Sequence, residues 1–67
     1  MITITLNGKR QVFSAPLTVL ALLESLKLDP SRVAVEHNLS VLPRAGYAET
    51  PLEDGDRVEI VQFVGGG

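Results

Sequence analysis

Arg57-Val58-Glu59-Ile60-Val61-Gln62-Phe63-Val64-Gly65-Gly66-Gly67 joins a β-branched strand pattern directly to three glycines. Side chains of a strand alternate between its faces, so Val58 and Ile60 share one face with Gln62 beyond them, and Arg57, Glu59, Val61 and Phe63 share the other. Glycine buries no side chain and loses the most conformational freedom on ordering, so a packed domain gains nothing from Gly65, Gly66 and Gly67. Read as the free end of the chain, they place a carboxylate on a thin tip that can pass through a narrow channel. At ~3.3–3.6 Å per extended residue, residues 64–67 reach on the order of 12 Å beyond the strand.

The opening segment is the counterpart of this strand. From Met1 to Asn7, Ile2, Ile4 and Leu6 alternate with Thr3, Thr5 and Asn7, the period-2 pattern of a half-buried strand. Asn7-Gly8 favours a type I′ turn, since both positions need positive φ, and Gln11-Val12-Phe13-Ser14 returns as the second arm of a hairpin. Pro16 ends that arm. Thr18 is a helix N-cap, followed by an apolar stripe at Val19, Leu22, Leu23 and Leu26, widened by Leu20. The expected helix is about ten residues long, with Lys27 at the negative end of its dipole and Asp29-Pro30 as its stop.

Val33-Ala34-Val35-Glu36 reads as a short buried strand, Asn38-Leu39 as a turn and Ser40-Val41-Leu42 as another brief strand. Pro43 to Thr50 is irregular or a single tight helical turn with Tyr47 as a plug, and Pro51 to Asp56 has turn chemistry. The first and last strands are the longest, and they are placed side by side, in parallel, at the sheet centre. The expected fold is α+β: a β-grasp, ubiquitin-like, with a mixed sheet of four to five strands on one main helix. Residues 1–64 form the domain and residues 65–67 a flexible tail.

Composition excludes several function classes. The chain has 67 residues, near the lower limit for an independent core. Yet 45% are apolar and 21% charged, which is a globular composition. Six Lys and Arg against eight Asp and Glu, with one Tyr and two Phe, offer neither a basic patch nor stacking platforms, so no nucleic acid partner is expected. The absence of cysteine removes disulfides, thiolate metal sites and thiol nucleophiles, and no metal is expected. No signal-like or membrane-spanning run is present, so the expected setting is the cytoplasm, without membrane attachment.

The candidate reactive group is the Gly67 carboxylate. With an ordinary pKa of about 3.3–3.7 it is ionised at neutral pH and inert to nucleophiles until converted to a mixed anhydride such as an acyl adenylate. The chain has neither G-x-x-x-x-G-K-[ST] nor G-x-G-x-x-G, and no helix follows the glycines, so activation falls to a partner enzyme. Val61 and Phe63 form an apolar pair beside the tip: a docking surface if that face is open, part of the core if segment 43–50 covers it. His37, beside Glu36, reads as a solvated loop residue, because no nucleophile accompanies it. Glu53, Asp54 and Asp56 around Gly55 lack calcium-loop spacing and read as a turn. No serine lies in a G-x-S-x-G context, and no enzyme is expected.

Several short pieces in order resemble the ThiS family, the sulfur carriers of thiamine biosynthesis. They are Asn7-Gly8, Leu17-Thr18-Val19-x-x-Leu22-Leu23, Val33-Ala34-Val35-x-x-Asn38, Val41-x-Pro43-Arg44, Leu52-x-x-Gly55-Asp56-x-Val58-x-Ile60 and Phe63-Val64-Gly65-Gly66-Gly67. The resemblance covers the whole chain. It implies that Gly67 is adenylated by a ubiquitin-activating-like adenylyltransferase of the ThiF type, using ATP. Sulfur from a cysteine desulfurase then gives a thiocarboxylate, 1-thioglycine at Gly67. Thiazole synthase of the ThiG type takes up that sulfur. Gly66 completes the family's end motif, and Gly65 is one glycine beyond the minimal pair; the strand end itself makes Gly66, Gly65, Val64, Phe63 and Val61 the expected partner-binding residues. The small subunit of molybdopterin synthase is a less similar relative, often with proline where this chain has Phe63-Val64. Carriers for tRNA thiolation or cysteine synthesis, a ubiquitin-like modifier joined through Gly67 to lysines, and a binding module with an inert tail are the alternatives.

Overall fold

The computed structural model describes residues 1–63; the expectations for Val64, Gly65, Gly66 and Gly67 fall outside the described residues. β1 (Ile2–Leu6) and β2 (Lys9–Phe13) form an antiparallel hairpin, and α1 (Val19–Ser25) follows. A 3-10 turn (Pro30–Arg32) leads into β3 (Val33–His37) and β4 (Ser40–Leu42). A longer 3-10 segment (Arg44–Glu49) precedes β5 (Arg57–Gln62). The five strands form one sheet in the order β2-β1-β5-β3-β4, with β1 and β5 parallel and every other pair antiparallel. The first and last strands are therefore neighbours, as expected, with β5 the longest at six residues and β1 equal in length to β2 and β3.

Local chemistry sets the turns. Asn7 and Gly8 have φ of 47° and 83°, which lets Leu6 pair directly with Lys9 across a two-residue loop. Asn38 and Leu39 also take positive φ, at 50° and 71°, and join β3 to β4 in the same way. Leu39 is a poor residue for that conformation, and its neighbour Asn38 offsets this by bonding away from the turn: its Oδ1 accepts from the Arg57 N–H at 2.8 Å.

One side of the sheet carries the core. Ile4, Val35 and Val58 from three adjacent strands meet Val19, Leu22 and Leu23 of α1, all essentially sealed from solvent. Tyr47 closes one flank of this layer and its hydroxyl donates to the Val33 carbonyl at 3.4 Å, while Leu52 closes another. Segment 43–50 thus packs beside the helix rather than over the opposite face of the sheet. The helix start is pinned to it: Thr18 Oγ1 accepts from the Ala21 N–H at 3.1 Å, and the Val19 N–H donates to the Thr50 carbonyl at 3.0 Å.

α1 is shorter than its apolar stripe suggests. It ends at Ser25, not at Asp29-Pro30, and Lys27 lies outside it with φ 60°. The Leu28 N–H donates to the Leu23 carbonyl at 2.9 Å and the Lys27 N–H to the Glu24 carbonyl at 3.0 Å, the paired bonds of a Schellman cap. Leu26, the expected last member of the stripe, is the cap residue and is 36% exposed, while Leu28 packs on the core in its place. Asp29 instead caps the following 3-10 turn, its carboxylate accepting from the Ser31 N–H and hydroxyl. Those two bonds hold the Asp29 carboxyl below its ordinary range. Among the described residues no helix is long and apolar enough to cross a membrane.

Candidate functional site

β5 is the element on which every candidate converges. It enters the sheet from a tight turn at Gly55 (φ 89°) and runs between β1 and β3 toward residue 64. The alternation expected from its sequence is observed. Val58 is fully buried and Ile60 9% exposed on the helix side, whereas Val61 is 62% and Phe63 57% exposed. Segment 43–50 leaves this pair uncovered, so of the two readings of Val61 and Phe63 the open one holds. The strand ends one residue before Phe63, but the ladder does not: the Phe63 N–H donates to the Arg32 carbonyl at 2.8 Å.

The open face around this pair has a definite layout. Val61 stands opposite Ala34, and the next pair along β3 and β5 is Glu36 opposite Glu59, all of them exposed. Val41, also exposed, stands opposite Glu36 from β4. An apolar patch of Val61, Phe63, Ala34 and Val41 is thereby bordered by two directly opposed carboxylates. Like charges in that register disfavour the sheet slightly, and neither Glu36 nor Glu59 makes an ion pair with a described residue.

His37 is not the solvated loop residue that its sequence context suggests. It ends β3, and its Nε2 lies 2.8 Å from Asp56 Oδ2, both side chains being mostly covered. Asp56 also accepts from the Glu53 N–H at 2.9 Å and from Asn38 Nδ2 at 3.2 Å. Partial burial pushes the Asp56 carboxyl up, but His37, the Glu53 N–H and Asn38 together outweigh it and hold the carboxyl below its ordinary range. The partner could not be found from sequence because it lies 19 residues away and is brought in by the β3–β5 register. Asp54, in the same turn, accepts from the Thr3 N–H at 2.7 Å. The acidic residues around Gly55 are thus turn and strand ties, as expected. Among the described residues no group of three His, Asp or Glu side chains could hold a metal ion. A polar cleft of about 310 Å³ lined by Thr3, Thr5, Arg10, Asp54 and Gly55 sits at this same leading end of β5, away from its exit toward residue 64.

Among the described residues, His37, Asp54 and Asp56 are engaged in ties within the fold, and the exposed apolar pair Val61 and Phe63 lies at the trailing end of β5. A five-stranded mixed sheet with parallel first and last strands at its centre, crossed by one helix, is the β-grasp, the ubiquitin-like fold. A crystal structure of a thiamine biosynthesis protein (ThiS) from Geobacter metallireducens superposes on it with a TM-score of 0.83, at 39% identity over 98% of this chain and 100% of that one. The model of the ThiS family matches residues 3–67, and the chain belongs to that family. The sulfur carrier protein ThiS of Bacillus subtilis is 41% identical over 63 residues, 92% of this chain and 96% of that protein. A thiazole synthase of Paramagnetospirillum magneticum is 48% identical over 64 residues, which is 96% of this chain but 20% of that protein. The chain thus spans one fifth of the length of the thiazole synthase it matches.

Proposed function

We propose that this chain is a sulfur carrier of thiamine biosynthesis whose Gly67 carboxylate is the loaded group. The observation that carries the reading is the end-to-end similarity to the Bacillus subtilis sulfur carrier, together with a family match that extends through Gly67. The presence of a segment of the same kind within a thiazole synthase supports that enzyme as the acceptor of the sulfur.

The chemistry follows from the carboxylate. An adenylating enzyme of the ThiF type joins the Gly67 carboxylate to the α-phosphorus of ATP and releases pyrophosphate. Sulfur from a cysteine desulfurase, carried as a persulfide, displaces AMP to give an acyl disulfide, and a thiol reduces that bond, leaving as a disulfide and freeing the thiocarboxylate. Thiazole synthase of the ThiG type then receives that sulfur. The chain itself is carrier and substrate, not enzyme, and acts in the cytoplasm with ATP supplied to its partner. Its own residues contribute docking and reach. Val61 and Phe63 offer the partner an apolar contact on the open side of β5, Val64 continues from it, and Gly65, Gly66 and Gly67 carry no Cβ to obstruct a channel.

The test is intact-mass measurement after incubation with the adenylating enzyme, ATP and a desulfurase. The mass is expected to rise by the difference between sulfur and oxygen. Deleting Gly67, or adding one residue after it, is expected to abolish the shift while leaving the unfolding transition in place. An unchanged mass with a partner that loads a known carrier overturns the reading. High-mass lysine adducts in place of free thiocarboxylate would assign the chain to protein modification instead.

A further inference from the structure

β1 accompanies β5 for only part of its length. Thr5 pairs with Arg57 and Leu6 with Val58, after which Asn7 and Gly8 turn the chain away into β2. The backbone of Asn7 makes one last ordinary bond, from its N–H to the Val58 carbonyl at 2.9 Å. Its side chain then does what a further strand residue would have done. Asn7 Oδ1 accepts from the Ile60 N–H at 2.7 Å, and Asn7 Nδ2 donates to the Ile60 carbonyl at 3.2 Å. A carboxamide carries the same donor and acceptor as a peptide group, so Asn7 extends the β1 edge beyond the point where β1 has left.

This double role singles out the residue type. The turn alone, with φ of 47° at this position, is served by Asn, Asp or Gly. Of these, only asparagine offers both a donor and an acceptor to Ile60. Beyond Ile60, the described residues have partners only on the β3 side: Val61 stands opposite Ala34, Gln62 opposite Val33, and the Phe63 N–H donates to the carbonyl of Arg32, the residue before β3. Among the described residues, Ile60 is thus the last of β5 to be held from the β1 side.

We propose that Asn7 is a positioning residue for the chemistry at Gly67. By holding Ile60 from the β1 side while β3 holds its neighbours from the other, it fixes the point and direction from which the trailing residues of β5 project. The proposal rests on the reading of Gly67 as the loaded residue. Reacting atoms must be brought to roughly 3–3.5 Å in an enzyme's site, and small errors of placement lower turnover rather than binding. A trailing end held by β3 alone frays more readily and spends less of its time aimed at the reaction site.

Two variants test this without disturbing the turn. Asn7→Gly keeps the positive φ and removes both side-chain bonds; Asn7→Asp keeps the φ and the acceptor but sets an oxygen against the Ile60 carbonyl. The full chain is assayed with a ThiF-type adenylating enzyme and ATP, following pyrophosphate release as a function of carrier concentration. Backbone amide exchange is measured at Ile60, with Ile4 as the internal reference, at a temperature where all the proteins are folded. In both variants, exchange at Ile60 is expected to rise by at least about tenfold with Ile4 unchanged. The value of kcat is expected to fall roughly fivefold while KM for the carrier stays within about twofold, because the docking face is untouched. Unchanged exchange at Ile60 means that the anchor does not hold the strand and overturns the proposal. Raised exchange with an unchanged kcat shows a structural tie without a positioning role, and a rise in KM at constant kcat points to docking; either overturns it. If the wild-type chain releases no pyrophosphate, the reading of Gly67 has failed and the positioning role falls with it, while the exchange data still report whether the Asn7 anchor exists.

Discussion

The two ends of β5 are built on opposite plans. The leading end is tied down by polar groups: the Arg57 N–H and carbonyl both bond to Asn38, Asp56 gathers His37, Asn38 and the Glu53 N–H, and the Thr5 N–H reaches the Asp56 carbonyl. The trailing end has Asn7 on one side, β3 on the other, and exposed apolar side chains at Val61 and Phe63. At the leading end, the side chains of His37, Asn38, Asp54 and Asp56 are engaged within the molecule. At the trailing end the outer face, at Val61 and Phe63, is left uncovered while Ile60 on the inner face stays in the core. The division is thus between a leading end fixed by polar ties and a trailing end that is buried on one face and open on the other.

The largest expected effect comes from crossing faces at the trailing end. Ile60→Ala removes a buried side chain that packs against the helix layer, and is expected to destabilise the domain by about 3 kcal/mol, read from the denaturant midpoint. Phe63→Ala, three residues on, removes a larger but exposed side chain. It is expected to change stability by less than about 0.5 kcal/mol while raising KM for the carrier in the adenylation assay. A comparable stability loss for the two would show that the open face is covered in solution.

The leading end is tested by pH. The Asp56 carboxyl lies below its ordinary value of 3.8 in the folded chain, so the unfolded chain holds that proton more tightly. The contribution of Asp56 is therefore complete above about pH 4 and declines as pH falls through the lowered folded value. Asp56→Asn is expected to flatten the acid limb of the stability profile in that window. At neutral pH it is expected to cost roughly 1–2 kcal/mol, because the His37 ring and the Glu53 N–H lose a charged acceptor. Chemical denaturation between pH 2 and 7 measures both effects, and the adenylation kinetics of the folded variant are expected to match the wild type. An unaltered acid limb would assign the acid sensitivity to other carboxyls.

The same comparison separates what the sequence reveals from what it conceals. The alternation of Ile2, Ile4 and Leu6, the Asn7-Gly8 turn, the Thr18 cap and the two faces of β5 are all local patterns, and each appears in the structure as read. The parallel pairing of β1 with β5 is observed as expected, although β1, at five residues, is no longer than β2 or β3. The glycine end is equally plain, because it is composition rather than geometry. What stayed hidden depends on partners distant in the chain, or on a conformation that breaks the usual residue preference. The helix is shorter than its apolar stripe because Lys27, not a glycine, adopts the positive φ of its C-terminal cap. The His37–Asp56 pair and the bond from the Asn7 side chain to Ile60 span 19 and 53 residues, and only the sheet register brings them together.

The smallest expected effect on stability is the sharpest test of the trailing end. Val61→Thr keeps the shape and the β-branched preference for a strand, and replaces one exposed methyl by a hydroxyl. Val61 is mostly exposed and stands opposite Ala34, so no buried contact is lost and the unfolding midpoint is expected to stay within about 0.5 kcal/mol of wild type. If a partner seats an apolar surface on this face, the hydroxyl must be desolvated there without a bonding group. KM for the carrier is then expected to rise several-fold at constant kcat. That is the reverse of the split expected for Asn7→Gly, because one variant alters how the partner is held and the other how the chain is aimed once held. Identical kinetic changes in the two variants would mean that docking and aiming are not separable at this end of β5.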